Sequence, residues 1–185
     1  PETGWHHCPP GSGIWGYVQV EECSDLIIDD IFVRPLVEEN EIEVWTEVYS
    51  FDYNLKKFSL NVDIDGQNFI EEKVKDFKYI PSENIFAKKG LNVFKFRIPF
   101  ENYREWDTSS PWLYKITLGF YSEGKEKDVR QEQFGIRAFL QDCDNTPKGT
   151  FYLNGEKIRL CGANTMGFEQ QDVLRGDLEG LVDDI

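Results

Sequence analysis

The sequence predicts an all-β fold, an antiparallel β-sandwich, on three observations. Between residues 24 and 141, short segments with an apolar residue at every second position follow one another, the period of a half-buried strand. Turn residues punctuate these segments, and no helical period of any length interrupts them. The 185-residue chain also carries 14 Phe, 8 Tyr and 5 Trp, enough bulky side chains for a well-filled core and more than a disordered tail would hold.

The first strand is expected over residues 27–34, ending at Pro35. In residues 42–49, Ile42, Val44, Thr46 and Val48 share one face. Residues 58–63 lead to Asp65-Gly66, a hairpin signal, with a second arm over residues 68–73. Residues 91–98 place Phe94, Phe96 and Ile98 together. Trp112, Tyr114, Ile116, Leu118 and Phe120 alternate along another strand, and residues 129–139 close the set. About seven short strands separated by turns form the pattern of an immunoglobulin-like β-sandwich. The Cys-Trp-Cys framework of antibody domains is absent, so apolar packing alone must hold the core. Val44, Phe94, Phe96, Ile116 and Leu118 are expected to be buried there.

The two flanks read differently. Pro9-Pro10-Gly11-Ser12-Gly13 precedes a strand-like stretch over residues 14–20. A lone strand is unstable, so this one must join the sheet that follows or belong to another domain. At the other end comes Phe151-Tyr152-Leu153-Asn154-Gly155, followed by a second hairpin arm over residues 157–161. Asn154-Gly155 is the strongest short hairpin signal, because both residues accept the positive φ of a type I′ turn. Residues 165–174 read as loop, and beyond Asp177 the residues Leu178, Leu181, Val182 and Ile185 fall at helical spacing. Strand, loop and helix make one β-α unit, which needs parallel neighbours to be buried. The expected division is therefore residues 1–23, 24–141 and 142–185, with the chain stopping just inside a new domain.

Charge excludes partners without naming one. A net charge of −14 repels nucleic-acid backbones and anionic membranes but not neutral ligands such as sugars. No apolar run approaches the roughly 18 residues of a bilayer span. There is no signal peptide and no initiator Met, so the natural N-terminus is expected to lie upstream. Cys8, Cys23, Cys143 and Cys161 are too far apart for a Cys-x-x-Cys motif. They allow three pairings with nothing to select one, and read as unpaired, mostly buried thiols of a reducing compartment. His6-His7-Cys8 reads as a surface or tag-like stretch, since adjacent histidines rarely face one ion. No cofactor is expected and no metal ligands are named, the metal requirement being left open.

Four landmarks, in order, give the chain a likeness. Gly13-Ile14-Trp15-Gly16-Tyr17-Val18 is the first, and Trp106 with Pro111-Trp112-Leu113-Tyr114 the second. Phe134-Gly135-Ile136-Arg137 is the third, and residues 151–155 with Leu160-Cys161-Gly162-Ala163-Asn164 the fourth. Together they resemble the middle of a glycoside hydrolase of family 2, the group of β-galactosidases, β-glucuronidases and β-mannosidases. The resemblance implies that residues 1–23 end an N-terminal jelly-roll domain and that residues 24–141 form the family's immunoglobulin-like sandwich. It further implies that residues 142–185 begin a catalytic (β/α)8 barrel with its first hairpin, strand and helix. It implies a retaining glycosidase using two carboxylates about 5–5.5 Å apart, one as acid/base and one as nucleophile.

In the family both are glutamates of later barrel strands, so no catalytic pair is expected in this chain. Asn40-Glu41 is its one Asn-Glu pair, and it reads as a solvent-facing carboxylate at the start of a sandwich strand. Barrel chemistry gathers at the C-terminal ends of strands, which makes Asn164 and Glu169, with Gln170, Gln171 and Asp172, the candidates for hydrogen bonds to sugar hydroxyls. The galactosidase and glucuronidase branches carry His-Glu shortly after the Gly-x-Asn, whereas this chain has Thr165-Met166-Gly167-Phe168-Glu169, a departure that leaves the sugar open. Trp106, Trp112 and Tyr114 read as core fillers before sugar platforms, and Arg137 as a structural contact at the domain junction. Lys56-Lys57 and Lys88-Lys89 read as solvated turns.

The leading expectation is a noncatalytic sandwich that braces the barrel of a glycosidase, whose partner is a carbohydrate substrate. A free-standing carbohydrate-binding module and an adhesive immunoglobulin-like domain are the alternatives. Uncovered apolar residues at the two ends, Ile14 and Val18 at one and Leu178, Leu181 and Val182 at the other, are expected either to drive self-association or to fold back onto the sandwich.

Overall fold

The computed structural model describes residues 14, 18–52, 57–69, 75–79, 86–141 and 147–162. Among these residues, seven strands build a two-sheet sandwich: β1 (Leu26–Leu36), β2 (Glu41–Ser50), β3 (Phe58–Gly66), β4 (Lys75–Tyr79), β5 (Gly90–Pro99), β6 (Tyr114–Ser122) and β7 (Lys125–Phe134). One sheet has the order β1-β2-β5 and the other β4-β3-β6-β7, every pair antiparallel. In the constant immunoglobulin arrangement the fourth strand joins the sheet of the first, second and fifth. Here β4 pairs with β3 instead. A third sheet is small, with the order β10-β9-β8 from β8 (Phe139–Gln141), β9 (Phe151–Leu153) and β10 (Glu156–Ile158).

Alternation along the strands decides which side chains meet between the sheets. On β2, Ile42, Val44, Thr46 and Val48 are fully buried while their neighbours stay partly exposed. Across the ladder Val44 faces Phe96 and Ile42 faces Ile98. Leu60, Val62, Ile64, Ile116, Leu118 and Phe120 close the core from the opposite sheet. The five residues expected to be buried, Val44, Phe94, Phe96, Ile116 and Leu118, all are. Aromatic rings knit the two layers. Phe58 lies 4.5 Å from Phe94 and 4.9 Å from Phe120, and Tyr79 stacks on Phe96 at 4.6 Å. Each such ring contributes on the order of 1.5–3 kcal/mol by burial alone, which is how the core stands without an inter-sheet disulfide.

The sandwich closes at a seam between the edge strands β1 and β7. A bulge between Ile28 and Asp30 interrupts the β1 ladder, and side chains of β7 take up the freed backbone groups. The Ile28 N–H donates to Asp128 Oδ2 at 2.7 Å, and Arg130 donates to the Ile28 carbonyl at 3.1 Å.

Several boundaries differ from the sequence reading. β1 runs through Pro35 to Leu36, because at a sheet edge the missing proline N–H costs no ladder bond. Asp65-Gly66 is not a hairpin turn; both residues continue β3, opposite Lys115 and Tyr114. Gly66 serves space rather than φ, since a Cβ there would sit 2.5 Å from the Phe69 ring. Residues 67–69 are a bend, not the start of a strand, and the arm that pairs with β3 is β4. The last expected strand is two: β7 ends at Phe134, and after a break the chain resumes as β8 in another sheet. Trp112 precedes β6 and is only half-buried. The second hairpin arm stops at Ile158.

Residues Glu22–Arg159 form one compact unit, which runs past residue 141 to take in β9 and β10. Pro1–Glu21 and Leu160–Ile185 make the other unit. In it Ile14, Val18, Val20 and Leu160 are exposed and outside any strand, so the strand expected over residues 14–20 has no ladder at its described positions. The helix expected beyond Asp177 lies outside the described residues. Cys23 and Cys161 are free thiols that are exposed rather than buried as expected, since each sits in irregular chain. No helix among the described residues is long and apolar enough to cross a membrane.

Candidate functional site

The region with most chemistry is the junction where the β9–β10 hairpin meets the end of the sandwich. Asn154 and Gly155 form the hairpin turn with φ of 50° and 81°, the positive pair a type I′ turn demands. Asn154 then does more than turn the chain. Its Oδ1 accepts from the Ala138 N–H at 2.9 Å, its Nδ2 donates to the Trp106 carbonyl at 3.0 Å, and its own N–H donates to the Ala138 carbonyl at 2.8 Å. One side chain therefore ties the hairpin tip to Ala138, just ahead of β8, and to the loop between β5 and β6.

That loop is itself locked. The Trp106 N–H donates to the Ile136 carbonyl at 2.8 Å, and Trp106 bridges to Pro111. Gly135 lets the indole lie against the backbone, since a Cβ there would be 3.1 Å from Trp106 Cβ. Asp107 Oδ1 accepts three bonds, from the Ser109 hydroxyl at 2.6 Å and from the N–H groups of Ser109 and Ser110 at 2.7 and 2.6 Å. These donors, the Ser109 hydroxyl foremost, hold the Asp107 carboxyl below the usual aspartate range. An acceptor so fully engaged orders the loop and is no proton donor near neutrality. Glu105, Asp107, Asn154 and Glu156 line a polar recess of about 300 Å³ at this junction.

The aromatic landmarks are spoken for by the protein itself. Tyr114 is buried, and its hydroxyl accepts from the Arg104 N–H at 2.7 Å, a bond back to upstream backbone like the tyrosine corner of immunoglobulin domains. The Arg137 guanidinium lies 4.6 Å above Trp106, and that of Arg104 lies 4.8 Å above Trp112. Arg137 thus packs on an indole, a contact within the protein itself. Asn40 takes a left-handed φ of 52°, and Glu41 after it is half-buried and pairs with Arg97 at 3.3 Å. Arg97 also meets Glu39 at 2.7 Å and Glu43 at 3.7 Å. Glu43 is held below the usual carboxylate range, first by the indole N–H of Trp45 and also by Arg97. The cluster is a set of ion-paired side chains on a sheet surface, not an acid/base pair.

Asn164, Glu169, Gln170, Gln171 and Asp172 lie outside the described residues, as does His6-His7-Cys8. Among the described residues no group of three His, Cys, Asp or Glu could hold a metal ion. Sequence reasoning missed the Asp107 loop, although Asp107-Thr108-Ser109-Ser110-Pro111 is a strong turn signal. It also missed the bracing role of the Asn154 side chain, which no local pattern announces.

Comparison with known proteins places this geometry. The family model described as "Glycosyl hydrolases family 2" matches residues 26–137, from the start of β1 through Arg137. A β-galactosidase of Thermoanaerobacterium thermosulfurigenes is 26% identical over 171 residues, covering 84% of this chain and 22% of that protein. A glycosyl hydrolase family 2 member from Bacteroides cellulosilyticus has a similar fold, with a TM-score of 0.62 at 19% identity over 75% of this chain and 18% of that one. A β-glucuronidase of Bacteroides uniformis gives a TM-score of 0.55 at 20% identity, over 72% of this chain and 16% of that one. The chain thus spans about a fifth of the length of these relatives.

Proposed function

The chain belongs to glycosyl hydrolase family 2, and from that premise we propose that it is the noncatalytic sandwich of a retaining glycosidase that hydrolyses terminal β-glycosidic bonds. The sandwich braces the catalytic barrel and sets where the barrel begins. The observation that carries this reading is the Asn154 lock, which ties the hairpin to Ala138, just ahead of β8, and to the β5–β6 loop by three hydrogen bonds. A hairpin held in this way gives the chain leaving Ile158 a defined starting point. In this reading residues 1–23 end a jelly-roll domain, residues 142–185 begin the barrel, and Asn164 and Glu169 contact the sugar at the end of the first barrel strand.

The carboxylate pair of such an enzyme belongs to later barrel strands, so the 185-residue chain is expected to hydrolyse no glycoside by itself. Assay of the purified chain against a panel of nitrophenyl β-glycosides checks this. Turnover that survives stringent purification and vanishes when one of the chain's own carboxylates is replaced would overturn it. In the full-length enzyme, Asn154→Ala is expected to lower kcat/KM while the sandwich still melts as a unit. An enzyme indifferent to that change would remove the bracing role.

A further inference from the structure

The outer face of the β4-β3-β6-β7 sheet carries a feature that bracing does not use. Tyr121, near the end of β6, leans over Gly119; a Cβ on that glycine would lie 3.1 Å from Tyr121 Cε2 and 3.8 Å from its hydroxyl. The ring can lie along the sheet because position 119 has no side chain. The β6–β7 pairing shifts beside it, with Lys127 of β7 the extra residue between the partners of Phe120 and Tyr121. The Tyr121 hydroxyl donates to Glu126 and also meets the Asn61 side chain, which fixes the ring.

Around it lies a recess of about 450 Å³ lined by Lys57, Ser59, Asn61, Lys78, Tyr121 and Glu123. One further observation marks it out: Asn61 Oδ1 is buried without a hydrogen-bond partner, a state that folded proteins rarely leave uncompensated. Glu123 takes a left-handed φ of 54° in the Glu123-Gly124 turn, as the two-residue β6–β7 hairpin itself demands.

We infer that this recess is a saccharide-binding platform, with Tyr121 stacking against the C–H face of a hexopyranose ring. Lys78, Glu123 and the Asn61 Nδ2 amide supply hydrogen bonds to its hydroxyls. An aromatic plane offers the apolar surface that one face of a pyranose presents, and mixed donors and acceptors around it suit hydroxyls, which are both. Trp106 and Trp112 are less suited, because guanidinium groups already lie over them. The platform is separate from the hairpin junction and goes beyond the bracing role, so the two stand or fall independently.

The test is a heteronuclear NMR titration of the 185-residue chain with methyl β-D-galactopyranoside and with cellobiose. Saturable shifts confined to the amides of Asn61, Gly119, Tyr121 and Glu123 are expected with at least one of them. Tyr121→Ala should weaken that binding about tenfold, the scale of one lost aromatic contact. Tyr121→Phe should weaken it less, because it keeps the ring. Asn61→Ala and Lys78→Ala, which leave the ring in place, provide a second route should Tyr121→Ala fail to fold. No saturable shift, shifts centred elsewhere, or binding untouched by all four substitutions would overturn the proposal. Shifts produced instead by inorganic phosphate alone would reassign the recess to an anion held by the lysines, and would equally overturn it.

Discussion

Phe96 on β5 and Asn154 at the tip of the β9–β10 hairpin each hold their surroundings together, by different means. Phe96 is one of many apolar side chains in a continuous core; it stacks on Tyr79 and faces Val44 across the ladder. Asn154 secures a sheet of three-residue strands in which Phe139 and Leu140 are each 49% exposed and Leu153 is the buried hydrophobic residue. Burial stabilises the sandwich without direction, so many substitutions are shared by neighbours. Hydrogen bonds stabilise the small sheet at a few named atoms, so its order depends on few residues. Strands this short carry little stability of their own. The comparison teaches that the sandwich is the scaffold and the hairpin its dependent.

Phe96→Ala should separate the two most strongly. Lost burial and the cavity left behind are expected to cost about 3–5 kcal/mol of global stability, read from the denaturation midpoint. A loss under about 1 kcal/mol would mean the core tolerates the gap far better than such sites do.

Gly135→Ala comes next, since it strikes where scaffold and dependent meet. The new methyl would press on Trp106, whose backbone is fixed to Ile136 and Pro111, at a cost of about 1–3 kcal/mol for overpacking. A thermal melt unchanged from the parent would show that the indole has room to shift.

Asn154→Ala removes partners from Ala138 and Trp106 and places alanine at a left-handed φ. The expected cost is about 1–3 kcal/mol, confined to the small sheet. Hydrogen exchange should quicken at Ala138 and Leu153 while the amides of Val62 and Leu118 keep their protection. Equal losses everywhere would make the two regions one cooperative unit.

The smallest effect concerns Asp107. Its carboxyl is held low by the Ser109 hydroxyl first and then by the backbone N–H groups of Ser110 and Ser109, so the native loop favours the ionised form. That contribution is present above the ordinary aspartate pKa of about 4 and is lost as pH falls through the lower native value. The amides of Ser109 and Ser110 should lose protection in acid, and Asp107→Asn should abolish the pH dependence. Protection that persists into strong acid would show that the loop is held without the carboxylate.

Sequence legibility tracked the same division. The period of two along β2, β5 and β6 named the core correctly, because burial on one face of a strand leaves its record in every second residue. Asn154-Gly155 named its turn, because positive φ is a local demand. Asp65-Gly66 looked like the same signal and misled, since glycine also appears where a neighbouring side chain needs the space, here the ring of Phe69. The expected sugar contacts Asn164 and Glu169 rested on resemblance and fall outside the described residues, so local pattern and fold add nothing to them.

By itself, the sequence determined the all-β class, the faces of the central strands and the hairpin turn, because these are set by side-chain period and backbone preference within a few residues. Only the tertiary structure decided that β4 joins β3, that Asp128 and Arg130 close the β1–β7 seam, and that Asn154 reaches Ala138 and Trp106. Contacts such as Asp128 to Ile28 or Asn154 to Trp106 join residues 100 and 48 positions apart. A backbone group accepts or donates to whichever side chain the fold brings near it, and no local pattern records which one that will be.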